Sequence, residues 1–411
     1  MQRFQNYTKD SEKSSIKIED IKEPKGKSWI VFLSIGIFGI LAGAGCIAAV
    51  FLMPEKILDD ITFPTIPSKV ADESSKTYSN LTGQELADAS LNNSPAYCIQ
   101  IPNGLDGARP QTGLQEAGVV FEAIAERGVT RFAAIFQNPT NSIIGPIRSL
   151  RLYYLQWDTP FDCTIVHAGG SDEAMAAVQS GGYKTLMEDY DYEYRGNYDY
   201  HLWNNLFTTP GLLAQNSADF NRGASNIKGF TRVTPETAAI NRVNSTATEK
   251  LEITTATDND TSALTPEASS INISFSNNSY FDVVYSYNAE TNSYDRSYAY
   301  GEAHTSYKCP EENLINKDPQ DVCSETQLSP SVVIAMFVNE SVASDNYHEN
   351  ITTIGNGTAY VFQNGTVTKG TWNKNSTSEQ IRFYDESDNE ISLIPGQTWV
   401  SAIPQYGSID F

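Results

Sequence analysis

The chain has 411 residues, with 28 Lys and Arg against 50 Asp and Glu, and a formal net charge of −22. Because nucleic-acid phosphates are bound by clustered Lys and Arg, this acidity argues against a nucleic-acid partner. Forty per cent of the residues are apolar, which is enough to bury cores. The five Cys and four scattered His show no CxxC or HExxH spacing, so we expect no metal and no other cofactor.

The first predicted element is a transmembrane helix over residues 29–53, an uncharged and largely apolar run. At about 1.5 Å per residue it would reach roughly 37 Å, more than the ~30 Å hydrocarbon core of a bilayer. Basic residues dominate the tail 1–28, and acidic residues follow the run directly. The positive-inside rule then predicts a cytoplasmic N-terminus and an extracytoplasmic remainder, with residues 29–53 holding the protein to the cell membrane as a single pass.

The apolar run has three alternatives to an uncleaved anchor. A cleaved signal peptide usually has a shorter charged region and an apolar stretch of only about 7–15 residues. Lipid attachment at Cys46 would need an aliphatic residue three positions earlier, where the sequence has Gly43. A buried core helix is the third alternative. The uncleaved anchor is favoured, and lipidation of Cys46 stays open.

The remaining sequence predicts an α+β protein with an extracytoplasmic stalk and two folded parts. Residues 54–95, rich in Pro, Ser, Asp and Asn, form the predicted stalk. Strand-like and helix-like patterns alternate over 96–243, which predicts a mixed α/β domain. A Ser/Thr-rich linker follows over 244–270, and successive strand patterns over 271–411 predict a C-terminal antiparallel β-rich domain.

The segment VVFEAIAERGVTRF predicts a hairpin that carries two glutamates. Strand alternation places Glu122 and Glu126 on one face, and a two-residue turn would pair Ile124 with Arg131, on that same face. The glutamates would lie about 13 Å apart along a strand, farther than the roughly 5–9.5 Å of glycosidase carboxyl pairs. Glu122 is therefore a catalytic candidate only with a partner from elsewhere, and a Glu–Arg–Glu lattice is the simpler interpretation.

An arginine-bearing stretch without lysine runs from residue 77 to residue 183. In GPIRSLRLYY, Pro146 suits a first helical turn, which would put Arg148 and Arg151 three residues apart on one helix face. With Arg131 they are candidate ligand-binding residues, because the planar guanidinium suits carboxylate or phosphate. The alternative is internal pairing with the glutamates.

The segment CTIVHAGGSDEAM predicts a strand that ends at His167, a Gly169–Gly170 turn, and a helix capped by Ser171. Such a junction is a common ligand site in α/β domains, so both glycines are candidate ligand-binding residues. The acidic first turn of the helix would repel an anion, which favours a neutral ligand or a structural turn. His167 is the candidate general base, with a hydrogen-bonded turn histidine as the alternative.

Cysteines outside the cytoplasm can form disulfides. Cys309 and Cys323 flank a polar loop, and we predict a disulfide between them. Cys98 and Cys163 both fall in predicted core strands and could pair if those strands are neighbours.

Three segments, residues 108–132, 144–151 and 166–171, resemble the YerB-like bacterial envelope family, also designated DUF3048. The resemblance continues in VVYSYNAETNSYDRSYAYGEAH, KGTWNK and LIPGQTWV of the second half. It implies a lipid- or membrane-anchored envelope protein with an α/β domain and a smaller C-terminal domain, and it implies no reaction. The family motifs include the candidate residues Glu122, Arg131, Arg148, Arg151, His167, Gly169 and Gly170.

The sequence departs from this family at two places. Gly43 spoils the lipid-attachment motif, which favours anchoring by the helix. Asn204 stands where the family tends to carry the His of a His-Asn-Leu-Tyr stretch, and His201 lies three positions away. If that His were catalytic, Asn204 would put activity in doubt.

Two functions remain open from the sequence. The first is a surface-displayed protein that binds a cell-envelope polymer such as a cell-wall glycan, for which the anchor, the arginines and the tyrosines argue. The second is a hydrolase or transferase acting on such a polymer, with His167 as general base and the arginines orienting an anionic group.

Overall fold

The computed structural model describes residues 76–196, 204–241, 268–310 and 317–411. The predicted tail 1–28, the predicted transmembrane helix 29–53 and most of the predicted stalk lie outside these ranges, as does most of the linker 244–270. Within the described ranges, no helix has the length and apolar character needed to cross a membrane.

Within the described ranges, the N-terminal half includes eight strands and three α-helices whose two ends are both described; residues 235–241 are also helical. The strands are β1 (Ala96–Pro102), β2 (Gln111–Thr112), β3 (Val119–Glu126), β4 (Val129–Gln137), β5 (Thr164–His167), β6 (Thr185–Met187), β7 (Tyr194–Arg195) and β8 (Leu206–Phe207). The helices are α1 (Leu152–Asp158), α2 (Asp172–Gln179) and α3 (Pro210–Asp219).

The regular elements described in the C-terminal half are strands, apart from one helical turn at Pro319–Val322 and one 3-10 turn at Ser279–Phe281. Its strands are β9 (Ser270–Ser274), β10 (Val283–Asn288), β11 (Ser293–Tyr298), β12 (Thr305–Lys308), β13 (Ser324–Gln327), β14 (Val332–Val338), β15 (Glu340–Val342), β16 (Glu349–Ile351), β17 (Gly355–Gln363), β18 (Thr366–Lys374), β19 (Arg382–Asp385), β20 (Thr398–Pro404) and β21 (Ser408–Asp410).

One ten-stranded sheet joins the two halves, in the order β19-β18-β17-β14-β20-β3-β4-β1-β5-β6. The junction is a parallel pairing of β20 with β3, from Thr398 beside Val119 to Ser401 beside Glu122. Residues 72–411 form one compact unit. The predicted α+β class and β-rich second half are confirmed, but that half is not wholly antiparallel, because β14 and β20 run parallel.

The central sheet has a different layer on each face. On one face, α1 covers the core, and Trp157 stacks on Phe121 with ring centroids 5.4 Å apart. On the other face, the four-stranded sheet β11-β10-β9-β21 packs its buried side chains against β4 and β20, around Phe132 and Trp399. Residues 76–95, predicted as stalk, belong to the compact unit. Leu81 lies in the core on the α1 side of the sheet.

Helix α1 begins later than the sequence predicts. The sequence predicts a helix from Pro146 onward, but residues 146–150 are not helical and Arg151 is the N-cap of α1. The backbone groups of this stretch bond to distant segments instead: the Arg148 amide donates to the Gln100 carbonyl at 2.8 Å, and the Leu150 amide to the Gly169 carbonyl at 2.9 Å. Arg148 and Arg151 therefore do not share a helix face.

Candidate functional site

A β-bulge in β3 separates the two glutamates of the β3–β4 hairpin. Ala123 lies opposite Arg131, and the register shifts between Ile124 and Glu126. The predicted pairing of Ile124 with Arg131 is thus wrong by one residue. One extra residue turns the following side chains to the other face of a strand. Glu122 therefore faces the core between the ten-stranded and four-stranded sheets, while Glu126 lies on the α1 side with Arg131.

Glu122 is fully buried and fully engaged. The Nη2 atom of Arg296 donates to both carboxylate oxygens, at 3.0 and 2.9 Å, and neither side chain is exposed. The Trp399 indole and the Thr130 hydroxyl donate to the same carboxylate, each at 2.9 Å. A carboxylate whose oxygens are occupied in this way has a structural role, so the catalytic hypothesis for Glu122 gains no support.

The Glu122–Arg296 pair continues to a buried histidine. One Arg296 guanidinium nitrogen contacts Nδ1 of His304, and Nε2 of His304 lies 2.8 Å from Oε1 of Gln111. Burial first, and then the charge of Arg296, hold the pKa of His304 well below its usual value. The ring is therefore neutral, accepting from Arg296 and donating to Gln111.

Glu126 forms a second ion-pair cluster on the α1 side of the sheet. Its two oxygens accept from Arg131 and Arg151, each at 2.7 Å. Burial alone would raise the pKa of Glu126, but the charges of Arg131 and Arg151 outweigh it and lower the pKa. Arg131 and Arg151 also donate to carbonyls of residues 149 and 150. Both arginines are thus mostly committed to internal bonds.

Arg148 differs from the other two arginines. It forms no ion pair with any described residue, and its buried Nε has no hydrogen-bond partner among them. Burial first, and then the charge of Arg131, lower the pKa of Arg148. The side chain is only half-buried and lines an open cleft of about 350 Å³. Arg131 also keeps a buried Nε without a partner among the described residues, but Arg131 and Arg151 are ion-paired with Glu126. Among the predicted ligand-binding arginines, Arg148 is therefore the one without an ion pair to a described residue.

Both halves of the chain line this cleft. Its walls come from the loop after β1, from the β3–β4 hairpin and from two segments of the second half. The lining residues are Pro102, Asn103, Gly104, Leu105, Asp106, Glu126, Val129, Thr130, Arg131, Arg148, Asn204, Asn278, Phe281 and Tyr347.

Asn204 brings a second unsatisfied polar atom to the cleft. Its Nδ2 donates to the backbone carbonyl and the Oδ1 of Asp106, at 2.9 and 3.1 Å. Its own Oδ1 is buried without a partner among the described residues. This is the position at which the resembling family tends to carry histidine. His201 lies outside the described residues.

His167 does not reach the cleft. It is fully buried at the end of β5, and its Nδ1 lies 2.7 Å from the Gly169 carbonyl. Burial lowers the pKa of His167 more than this hydrogen bond raises it. The ring is therefore neutral, with the proton on Nδ1 and a bare Nε2 that has no partner among the described residues.

The Gly169–Gly170 turn holds the Arg148 segment in place. The Ala168 amide donates to the Arg148 carbonyl at 3.0 Å, and the Leu150 amide to the Gly169 carbonyl at 2.9 Å. A Cβ on Gly170 would lie 2.9 Å from Sδ of Met175 and 3.1 Å from the Leu150 carbonyl. The close approach explains the glycine, and the turn acts by positioning Arg148. Helix α2 starts at Asp172 after Ser171, as the sequence predicts.

The described cysteines form two disulfides. Cys309 and Cys323 are joined across the polar loop with an S–S distance of 2.04 Å. Cys98 and Cys163 are joined across the neighbouring strands β1 and β5. The described residues contain no group of three or more His, Cys, Asp or Glu suited to a metal ion.

Several residues of the cleft are not predicted from the sequence as ligand-binding residues. Glu126 was identified only as a salt-bridge partner, and Asn204 only as a departure from the family pattern. Phe281 and Tyr347 come from the second half, and no local pattern connects them to Arg148. Tyr347 comes to the cleft beside His348, whose backbone bridges to Glu126, and Phe281 comes from the segment between β9 and β10 of the four-stranded sheet.

Comparisons with known proteins agree with the resemblance. Two family models match, the DUF3048 N-terminal domain over residues 81–225 and the DUF3048 C-terminal domain over residues 271–400, both described as protein of unknown function. A relative described as "Putative lipoprotein YerB", from Bacillus subtilis (strain 168), is 24% identical over 337 residues, covering 82% of this chain and 88% of the relative.

The fold is also similar to a solved structure. The crystal structure of YerB protein from Bacillus subtilis matches with a TM-score of 0.63 at 20% identity, covering 82% of this chain and 100% of that chain. At this level of identity the match shows a shared fold.

Proposed function

The chain belongs to the DUF3048 family, and from that premise we propose that it is a membrane-anchored extracytoplasmic protein that binds an anionic group of a cell-envelope polymer in the Arg148 cleft. The observation that carries the proposal is Arg148 itself, a half-buried guanidinium in an open cleft that forms no ion pair with a described residue, although Glu126 and Asp106 act on it from a distance. Partial burial of a charge costs free energy unless a partner compensates for it. A bound carboxylate or phosphate would supply that partner.

The local charge supports an anionic ligand. Arg131, Arg148 and Arg151 surround Glu126, and Asp106 is the other acidic side chain that acts on Arg148. Three positive groups thus face two negative ones, in a chain with a net charge of −22. A positive site on an acidic protein selects its ligand through local contacts, because the overall field repels anions.

The location rests on two independent supports. The uncharged run at residues 29–53 suits a membrane anchor, and the matched relative is described as a lipoprotein. Cys46 lies within the run, so the anchor is either the helix itself or a lipid on Cys46. Mass spectrometry of the intact protein separates the two, since a mature lipoprotein would begin at Cys46 and carry the added mass of the lipid.

The structure offers the hydrolase hypothesis no supporting observation. A general base must come within hydrogen-bond reach of its substrate. His167 is fully buried and does not line the cleft. We therefore favour the binding function.

The test is retention of the detergent-solubilised full chain on purified cell-wall sacculi. We expect Arg148→Met to lose at least tenfold in retention. Lys369→Met is the matched control, since it removes the same charge from an exposed side chain on β18. Equal retention of wild type and Arg148→Met would refute the proposal.

A further inference from the structure

Exposed apolar side chains are concentrated around one end of the Arg148 cleft. Of the twelve large apolar side chains that are exposed in the described ranges, four lie in or beside it: Leu105, Tyr280, Tyr300 and Tyr347. Leu105 and Tyr347 line the cleft directly. Tyr280 precedes the lining residue Phe281 in the chain. Exposed apolar groups gathered at a site mark a binding surface, whereas scattered ones do not.

Tyr280 and Tyr300 form an open corner of two rings. They are 57% and 42% exposed, and their ring centroids lie 6.0 Å apart at an angle of 60°. Tyr300 also stacks on the buried Tyr298, with centroids 5.4 Å apart and planes within 3°. We call the pair Tyr280 and Tyr300 the tyrosine corner platform. Each ring presents an apolar face with a hydroxyl at its edge.

Arg109 holds Tyr300, one of the two rings of the platform, and connects it to the cleft. Its guanidinium carbon lies 3.7 Å from the centroid of Tyr298, and its Nη1 donates to the Tyr300 hydroxyl at 3.0 Å. Its Nε donates to the backbone carbonyl and the Oδ1 of Asn103, which lines the cleft. The same guanidinium lies 5.2 Å from the centroid of Phe281. A platform held in this way loses little conformational entropy when a ligand binds.

We propose that the tyrosine corner platform is a sugar-ring subsite continuous with the Arg148 cleft, so that the ligand is a glycan carrying carboxylates. This inference rests on the proposed function, and it adds the substrate class to it. The flat apolar faces of pyranose rings stack on the two tyrosines. The unpaired Oδ1 of Asn204 and the side-chain amide of Asn278 face the cleft as partners for sugar hydroxyls, and Arg148 pairs with the anionic substituent.

The experiment compares two soluble probes that differ only in their sugars. The first is the disaccharide-peptide released from sacculi by a muramidase, which has two sugar rings and the stem-peptide carboxylates. The second is the same stem peptide freed of sugar by an amidase and then acetylated at its new N-terminal amine, so that no extra positive charge is introduced. Affinities are measured by calorimetry for the full chain, for Tyr280→Ala/Tyr300→Ala and for Arg148→Met. Tyr190→Ala is the control, because Tyr190 is similarly exposed and lies outside the cleft lining.

We expect the wild type and Tyr190→Ala to prefer the disaccharide-peptide at least tenfold over the free peptide. In the platform variant this ratio falls to about one while peptide affinity is kept, and Arg148→Met weakens both probes. If the wild type shows no preference for the disaccharide-peptide, or if the platform variant keeps that preference, the sugar subsite is refuted. The proposed function then stands as long as Arg148→Met weakens the binding of both probes. If Arg148→Met binds both probes like the wild type, the proposed function is refuted. If the wild type binds neither probe, the substrate class is refuted, and sacculus retention then decides the proposed function separately.

Discussion

Glu122 and Arg296 are 174 positions apart in the chain, yet Nη2 of Arg296 donates to both carboxylate oxygens of Glu122. Neither side chain is exposed to solvent. The pair joins the two family domains on the inner face of the shared sheet, next to the β20–β3 pairing. Each charge has further partners, since Trp399 and Thr130 bond Glu122 and Tyr285 bonds Arg296. This network is therefore an internal brace, and the Arg148 cleft is the part left for a ligand.

The first prediction concerns the brace. Glu122→Leu should lower the free energy of unfolding by about 3–5 kcal/mol, because it leaves the Arg296 charge buried without its partner. Adding Arg296→Met should restore part of this loss, since the double variant buries no unpaired charge. Urea unfolding of the single and double variants measures both effects. A double variant less stable than Glu122→Leu would contradict the brace.

The second prediction separates Arg148 from Arg151 by stability. Arg148→Met should change the free energy of unfolding by no more than about 0.5 kcal/mol, or raise it, because no described partner is lost. Arg151→Met should cost roughly 2–4 kcal/mol, since it removes one of the two cations that pair with the buried Glu126. Thermal and urea unfolding give the comparison. Similar losses in the two variants would mean that Arg148 is a structural arginine.

The third prediction ranks the two disulfides. Cys98–Cys163 closes a separation of 65 residues and Cys309–Cys323 one of 14. Loop-closure entropy gives about 4 and about 3 kcal/mol respectively. The first pair is also buried between core strands, so its replacement by Ala adds a packing cost. Unfolding of the two double-Ala variants without reductant should show the larger loss for Cys98→Ala/Cys163→Ala. The reverse ranking would contradict this.

The fourth prediction concerns pH. Burial raises the pKa of Glu193 to about 8, and burial together with the neighbouring Glu349 raises that of Glu340 to about 7. A carboxyl whose pKa is raised in the folded state stabilises the fold below its unfolded pKa, and this contribution is lost as pH rises through the folded pKa. Relative to the wild type, Glu193→Gln should therefore gain roughly 4 kcal/mol in stability between pH 5 and pH 8.5, with the two proteins most alike near pH 5.

The controls for this pH effect are two further variants. Glu340→Gln should show the same trend, with most of the change between pH 5 and 7. Glu290→Gln, at an exposed glutamate, should follow the wild type at every pH. If Glu193→Gln keeps a constant stability difference from the wild type between pH 5 and 8.5, the raised pKa is wrong.

Local patterns were sufficient for the longer strands and for α2, but not for short strands such as β2, β7 and β8. Alternation located β3 and β4, and the run AYCIQI corresponds to β1. The bulge before Glu126 was not predictable in this way, because one inserted residue changes no local propensity. It nevertheless decides which arginines Glu126 meets, since it moves Glu126 away from Glu122 and onto the face of Arg131.

The non-local features needed the structure. The sequence around Arg148 predicts the start of a helix, because Gly and Pro precede a periodic run. In the structure, however, backbone amides of this segment donate to the carbonyls of Gln100, Leu206 and Gly169. The bridge between Glu126 and His348 brings Tyr347 to the cleft, and Phe281 reaches it from the segment between β9 and β10. No period in the sequence encodes either contact. The lysine-free stretch did identify the right region, although it could not separate paired arginines from the unpaired Arg148.

The central claim is that Arg148 binds the anionic group of an envelope glycan. The most direct measurement is a crystal structure of the protein with the muramidase-released disaccharide-peptide bound. The account predicts a ligand carboxylate about 3 Å from the Arg148 guanidinium nitrogens, with a sugar ring against Tyr280 or Tyr300. A ligand bound elsewhere, or one that leaves Arg148 without an anionic partner, would contradict it.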